Sequence, residues 1–200
     1  MIQVKELLSQ LAFVAFAQSV LSACGPAGSE GSEGSEATDE APSALASTSQ
    51  LPPSLSCRGP YSIQSRASGR YVSTEIGFSG DRINMLRARA LTDDAFEKFY
   101  ICEDRAGGSV IQAVVNSGYV SAEIFYSGAY NGMLRARATF PGEWEHLDVS
   151  IGSGTIRSRA NGAYVSAELG YGGEDFGMLR ARATQVGPWE RFNIRETTWD

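Results

Sequence analysis

Beyond residue 57 the chain is written in short stretches that alternate apolar and polar side chains, the two-residue period of a strand with one buried face. Ile156-Arg157-Ser158-Arg159 alternates in this way, and Asn161-Gly162 follows as a turn that tolerates positive φ. Tyr164 to Leu169 reads as a second strand, and a glycine-rich loop from Gly170 to Gly177 leads into a third, Met178 to Ala183. Gly187-Pro188 makes a turn, and Trp189 to Ile194 reads as a fourth strand. On a third strand of this kind, Leu86, Ala88 and Ala90 are expected to face inward, with Arg87 and Arg89 facing out.

The same text occurs three times. Tyr71-Val72-Ser73-Thr74-Glu75-Ile76 returns as Tyr119 to Ile124 and again as Tyr164 to Leu169; Met85 to Ala90 returns as Met133 to Ala138 and Met178 to Ala183. Phe96-Glu97 corresponds to Trp144-Glu145 and Trp189-Glu190. Tyr71 and Arg87, Tyr119 and Arg135, and Tyr164 and Arg180 are each 16 residues apart. Length varies only between the last strand of one copy and the tyrosine of the next. Four strands per copy predict an all-β domain of twelve strands in three pseudo-symmetric four-strand repeats, over 57–104, 105–151 and 152–200. Three units are too few for a propeller, and the polar end caps of a solenoid are not visible. A β-trefoil remains, with six strands in a barrel and three hairpins capping one end.

Asn161-Gly162, Tyr164-Val165-Ser166-Ala167-Glu168, Leu179 to Thr184 and Gly187-Pro188-Trp189-Glu190 together resemble the fascin-like β-trefoil family of the actin-crosslinking superfamily. The resemblance spans 57–200 and is strongest in the third copy. The first copy departs from it, with Phe96 in place of Trp and no Gly-Pro before it. It implies the fold far better than the function, because trefoils serve sugar binding, growth-factor signalling, protease inhibition and actin bundling alike.

The N-terminal part has another character. Leu7 to Leu21 is uncharged and consists mostly of Leu, Ala, Val and Phe, too short to span a bilayer comfortably but of the length of a secretory signal core. Leu21-Ser22-Ala23-Cys24 resembles a bacterial lipobox, which implies a signal peptide over 1–23 and lipidation of Cys24. Residues 24–56 repeat Gly-Ser-Glu and then run through Ala, Ser, Thr and Pro, a composition that cannot bury enough surface to order itself and reads as a tether. Six of the 23 acidic residues and one of the 17 basic ones precede residue 57, so the acidity belongs to the tether and the domain is nearly neutral. Near-neutrality disfavours nucleic acid as a partner. The expectation is a monomer in the cell envelope, held to the membrane only by its lipid. Gly25 after Cys24 is compatible with outer-membrane sorting, facing either the periplasm or the medium.

With Cys24 assigned to lipid, Cys57 and Cys102 form an even pair in an oxidising compartment, a candidate disulfide. In a trefoil the first and fourth strands of a copy run antiparallel, which sets these two residues side by side. No His/Cys cluster suggests a metal, and nothing implies a cofactor. His146, the single histidine, reads as a solvent-facing strand residue. Neither a Gly-x-Ser-x-Gly motif nor a phosphate loop is present, and the acids recur in threefold copies; no enzyme is expected.

Glu75, Glu123 and Glu168 face Arg87, Arg135 and Arg180, or Arg89, Arg137 and Arg182, across each hairpin, and read as repeated cross-strand ion pairs. Phe96, Trp144 and Trp189 read as core plugs, with Glu97, Glu145 and Glu190 satisfying backbone donors beside them. The hairpin loops carry Phe78, Tyr126, Tyr130, Tyr171 and Phe176 among glycines, and these five form the candidate ligand-binding set. Aromatic faces stack on sugar rings while neighbouring polar groups bond the hydroxyls. The expected function is non-catalytic glycan binding. The alternative is a protein-binding, adhesive or actin-crosslinking-like module.

Overall fold

A computed structural model describes residues 55–103 and 107–198. The signal peptide, Cys24 and the tether up to residue 54 lie outside the described residues. The twelve strands are β1 (Ser56–Ser65), β2 (Tyr71–Glu75), β3 (Met85–Ala90), β4 (Lys98–Glu103), β5 (Ser109–Ala113) and β6 (Tyr119–Glu123), then β7 (Met133–Ala138), β8 (Leu147–Ser150), β9 (Thr155–Ser158), β10 (Tyr164–Glu168), β11 (Met178–Ala183) and β12 (Phe192–Glu196). The second and third strands of each copy fall where the alternation puts them, and the first strand of copy three, expected over 156–159, runs over Thr155–Ser158. The fourth begins later than expected: Ala95–Glu97 and Pro188–Glu190 are short 3-10 turns, and β12 starts only at Phe192.

Pairing corrects the expected division into a trefoil of three four-strand repeats. All twelve strands belong to one antiparallel sheet. Ten of them, β10-β9-β8-β5-β4-β1-β2-β3-β7-β11, close into a ring because β11 returns to β10. The physical reason lies at the starts of β3, β7 and β11, which pair with one another across copies: Met85 with Arg135, Met178 with Arg87 and Arg180 with Met133. The hairpins are therefore part of the barrel wall and not a separate cap. Three backbone bonds reinforce this junction, from Ala88 N to Gly177 O at 2.7 Å, Ala181 N to Gly132 O at 2.7 Å and Ala136 N to Asn84 O at 2.9 Å. A Cβ at Gly177 would lie 2.5 Å from Ala88 O, and the residue sits at φ +76°, so this approach requires glycine.

The inward positions of the strands make one core, in which Ile63, Val72, Leu86, Phe99, Leu134, Ile156, Leu179 and Phe192 are fully buried. Arg87, expected to face out, is buried as well, as are its counterparts Arg135 and Arg180. Cys57 and Cys102 are direct partners across β1 and β4 and form a disulfide, closing a loop of 45 residues.

Candidate functional site

At the hairpin end, Met85, Met133 and Met178 meet in a fully buried cluster separate from the main core. Phe78, Tyr126, Tyr130 and Tyr171 pack against it and are half-buried, as is Phe176. Four of the five expected ligand-binding aromatics thus have ring surface committed to methionine. Two are also committed through their hydroxyls: Arg135 Nη1 donates to Tyr126 Oη and Arg180 Nη1 to Tyr171 Oη, both at 2.7 Å.

The same arginines tie each copy to its neighbour. Arg180 of copy three donates to Asn131 O of copy two from Nε at 2.9 Å and from Nη2 at 2.8 Å. Arg135 of copy two donates to Ile83 O of copy one at 2.8 Å. Arg87 of copy one donates to Phe176 O of copy three at 3.0 Å and lies over the Phe78 ring at 5.6 Å. Burial pulls the Arg87 guanidinium below its ordinary value, partly offset by Glu75. As ion-pair partners these residues are secondary: Arg87 and Arg180 come within 3.7 and 4.0 Å of Glu75 and Glu168. The two-pronged pairs run instead to the exposed neighbours, Arg89 with Glu75, Arg137 with Glu123 and Arg182 with Glu168. That hydrogen bonding raises all three guanidinium groups above their usual range.

Each copy also carries an aromatic residue that the sequence assigns to the core, in copy one beside the Glu75–Arg89 pair. Phe96, Trp144 and Trp189 are instead 42, 38 and 36% exposed. The glutamate following each ring is what is buried. Glu97, Glu145 and Glu190 accept the hydroxyls of Ser73, Ser121 and Ser166 on one oxygen. On the other they accept the backbone N–H of Asp94, Gly142 and Gly187. Anchoring the turn through its glutamate turns the ring outward. Desolvation holds the Glu97 carboxyl above the usual carboxylate range.

Copy one presents a nook made of an aromatic ring, a charge-balanced Glu–Arg pair and the residue six places after the repeat tyrosine, and copies two and three carry residues at the matching positions. In copy one, Phe96, Glu75, Arg89, Ile76, Gly77 and Thr74 line a hollow of about 300 Å³. In copy two, Phe125 stands edge-on to Trp144 with ring centroids 5.2 Å apart and an interplanar angle of 67°. In copy three, Gly170 abuts Trp189. Sequence reasoning missed these rings because an apolar residue at a repeated position reads as core; the adjacent Ser–Glu bond that turns them outward joins residues 24 apart. His146 is half-buried and precedes β8 instead of lying in it, with Nδ1 2.7 Å from Gly142 O. Among the described residues, no group of three or more His, Cys, Asp or Glu is arranged to hold a metal ion.

No family model matches the chain, and no curated protein matches its sequence. Solved structures do resemble it. A designed threefold-symmetric protein, ThreeFoil, is similar at TM-score 0.57 and 15% identity, over 70% of this chain and 100% of its own. An exo-β-1,3-galactanase from Clostridium thermocellum is similar at TM-score 0.57 and 17% identity, over 70% of this chain but only 30% of its own. The Rhizoctonia solani agglutinin is similar at TM-score 0.53 and 10% identity, over 70% of this chain and 96% of its own. These likenesses support a β-trefoil-like fold; they neither support nor exclude the fascin-like resemblance.

Proposed function

We propose that the domain is a non-catalytic carbohydrate-binding module, displayed at the cell envelope on a lipid anchor at Cys24. The observation that carries this reading is the nook of copy one, a partly exposed aromatic ring beside a Glu–Arg pair fixed in one geometry, with such a ring and such a pair recurring in the other copies. A ring of this kind stacks on the C–H face of a sugar. The pair offers both a donor and an acceptor to hydroxyl groups without a net charge, and its side chains are already ordered, which lowers the cost of binding. Two structural neighbours, a galactanase and an agglutinin, agree with a carbohydrate ligand. Single nooks of this openness bind weakly, and several on one domain compensate by avidity on a multivalent glycan.

Full-length protein applied to a glycan array tests the reading. Retention is expected on a defined set of glycans, reduced by Trp189→Ala and unchanged by Tyr171→Phe, which removes only a hydroxyl engaged by Arg180. Binding to no glycan removes the reading. The exposure of Phe125 at 77% and Phe140 at 70% favours a protein partner as the second reading. In that case a stoichiometric complex from envelope extract would depend on these two residues.

A further inference from the structure

Resting on that carbohydrate reading, we propose that the three nooks are unequal, and that the residue six places after the repeat tyrosine decides which are open. Gly77 and Gly170 leave copies one and three free to take a single neutral hexose ring, whereas Phe125 closes copy two. The three residues occupy the same place in otherwise matching frames.

The space at each differs. A Cβ on Gly77 would meet nothing within 4 Å, and the hollow of about 300 Å³ between Phe96 and the Glu75–Arg89 pair opens there. That volume lies at the small end for ligand sites, about 300–1,000 Å³, and suits one ring better than an internal stretch of chain. A Cβ on Gly170 would lie 3.6 Å from the end of the Trp189 indole, so glycine sets only its backbone against the ring. In copy two the phenyl of Phe125 takes that ground, edge-on to Trp144. At 77% exposure it contributes little to the core, and the edge-on contact with Trp144, itself 38% exposed, is the ring contact its position provides.

The charge of the nook selects the class of ligand. Arg89 commits Nε and Nη2 to Glu75, leaving Nη1 without a bond among the described residues. Glu75 and Arg89 neutralise each other, so an anionic sugar gains no net attraction, while Nη1 can donate to a hydroxyl and the carboxylate can accept from one. Copy three repeats the arrangement with Arg182 and Glu168.

The test follows amide chemical shifts of the isotopically labelled full-length protein during titration with D-galactose, D-glucose, D-mannose and D-glucuronate. At least one neutral hexose is expected to move the amides of Gly77 and Gly170 and to leave Phe125 in place. Gly77→Phe, for which the structure has room, should weaken the copy-one response about tenfold or more while copy three keeps its own. Phe125→Gly removes an exposed ring, leaves the core intact and should create a response in copy two. A response in all copies, a response confined to copy two, or indifference to both substitutions overturns the gating while leaving carbohydrate binding standing. Preference for glucuronate overturns the neutral ligand. No response to any of the four, together with an empty glycan array, overturns the gating and the carbohydrate reading at once.

Discussion

Replacing Arg180 by Met keeps most of the side chain's length and removes the guanidinium that joins copy three to copy two. The residue is buried and donates three bonds of 2.9 Å or shorter, two to Asn131 O and one to Tyr171 Oη. Hydrogen bonds from a charged group contribute about 1.5–3 kcal/mol each, and water recovers part of that loss at half-buried Asn131 and Tyr171. A net cost of about 3–5 kcal/mol follows, the range for breaking a buried charged contact. Arg87→Met is the internal control. Arg87 makes one bond of 3.0 Å and one of 3.4 Å, and its ring neighbour Phe78 has no hydroxyl to accept a third. Its loss should cost about 1–2 kcal/mol. Urea unfolding of the full-length variants, analysed by linear extrapolation with unchanged slope, reads both values. Phe78→Tyr should then stabilise the protein by about 1 kcal/mol, by giving Arg87 the acceptor that Arg135 and Arg180 already have. The reasoning fails if Arg87→Met costs as much as Arg180→Met, or if both remain within about 0.5 kcal/mol of the parent, as a surface arginine would.

Three further outcomes are expected. Thr74 is 1% exposed with no partner for its hydroxyl among the described residues, and it stands where the other copies have Ala122 and Ala167. Thr74→Val should therefore stabilise the domain by about 1 kcal/mol in the same urea assay; a loss would mean that the hydroxyl is paired. Glu97 has a raised carboxyl pKa, chiefly from desolvation. Its folded form binds the proton more tightly than the unfolded chain, so its contribution improves as pH falls through the raised pKa and worsens as pH rises through that window. The stability of the parent relative to Glu97→Gln should increase toward acid, and a difference that shrinks toward acid would contradict the assignment. Replacing Cys57 and Cys102 by Ser together opens a loop of 45 residues. On chain entropy the cost is about 4 kcal/mol, measured as a lower urea midpoint; an unchanged midpoint would show that the disulfide does not constrain the unfolded chain.

The strand positions were legible because a period of two survives in each copy and the threefold spacing removes ambiguity between strand and helix. The disulfide was legible because strand pairing sets Cys57 opposite Cys102. Closure of the sheet through β3, β7 and β11 was not, since the residues that pair there belong to different copies and no local pattern announces the contact. Burial of Arg87, Arg135 and Arg180 was hidden for a related reason. An arginine inside a strand reads as solvent-facing, and only the neighbouring copy's loop, with its free carbonyls, makes an interior position tolerable. The aromatics of the candidate site show the same limit from both sides. Tyr126 and Tyr171 sit in glycine-rich loops yet pack on methionines contributed through the barrel wall. Trp144 and Trp189 occupy repeated positions that read as core yet are turned outward by the glutamate that follows each of them.

The account rests on Phe96 and Trp189 being binding surface and not core. The most direct measurement takes the best glycan from the array and titrates it against full-length protein and against the Phe96→Ala, Trp189→Ala double variant, with urea midpoints for both. The account predicts that binding disappears while the midpoint falls far less than the roughly 2–5 kcal/mol that a buried Leu134→Ala would cost. Undiminished affinity in the double variant would contradict it, and so would a loss of stability as large as that of Leu134→Ala.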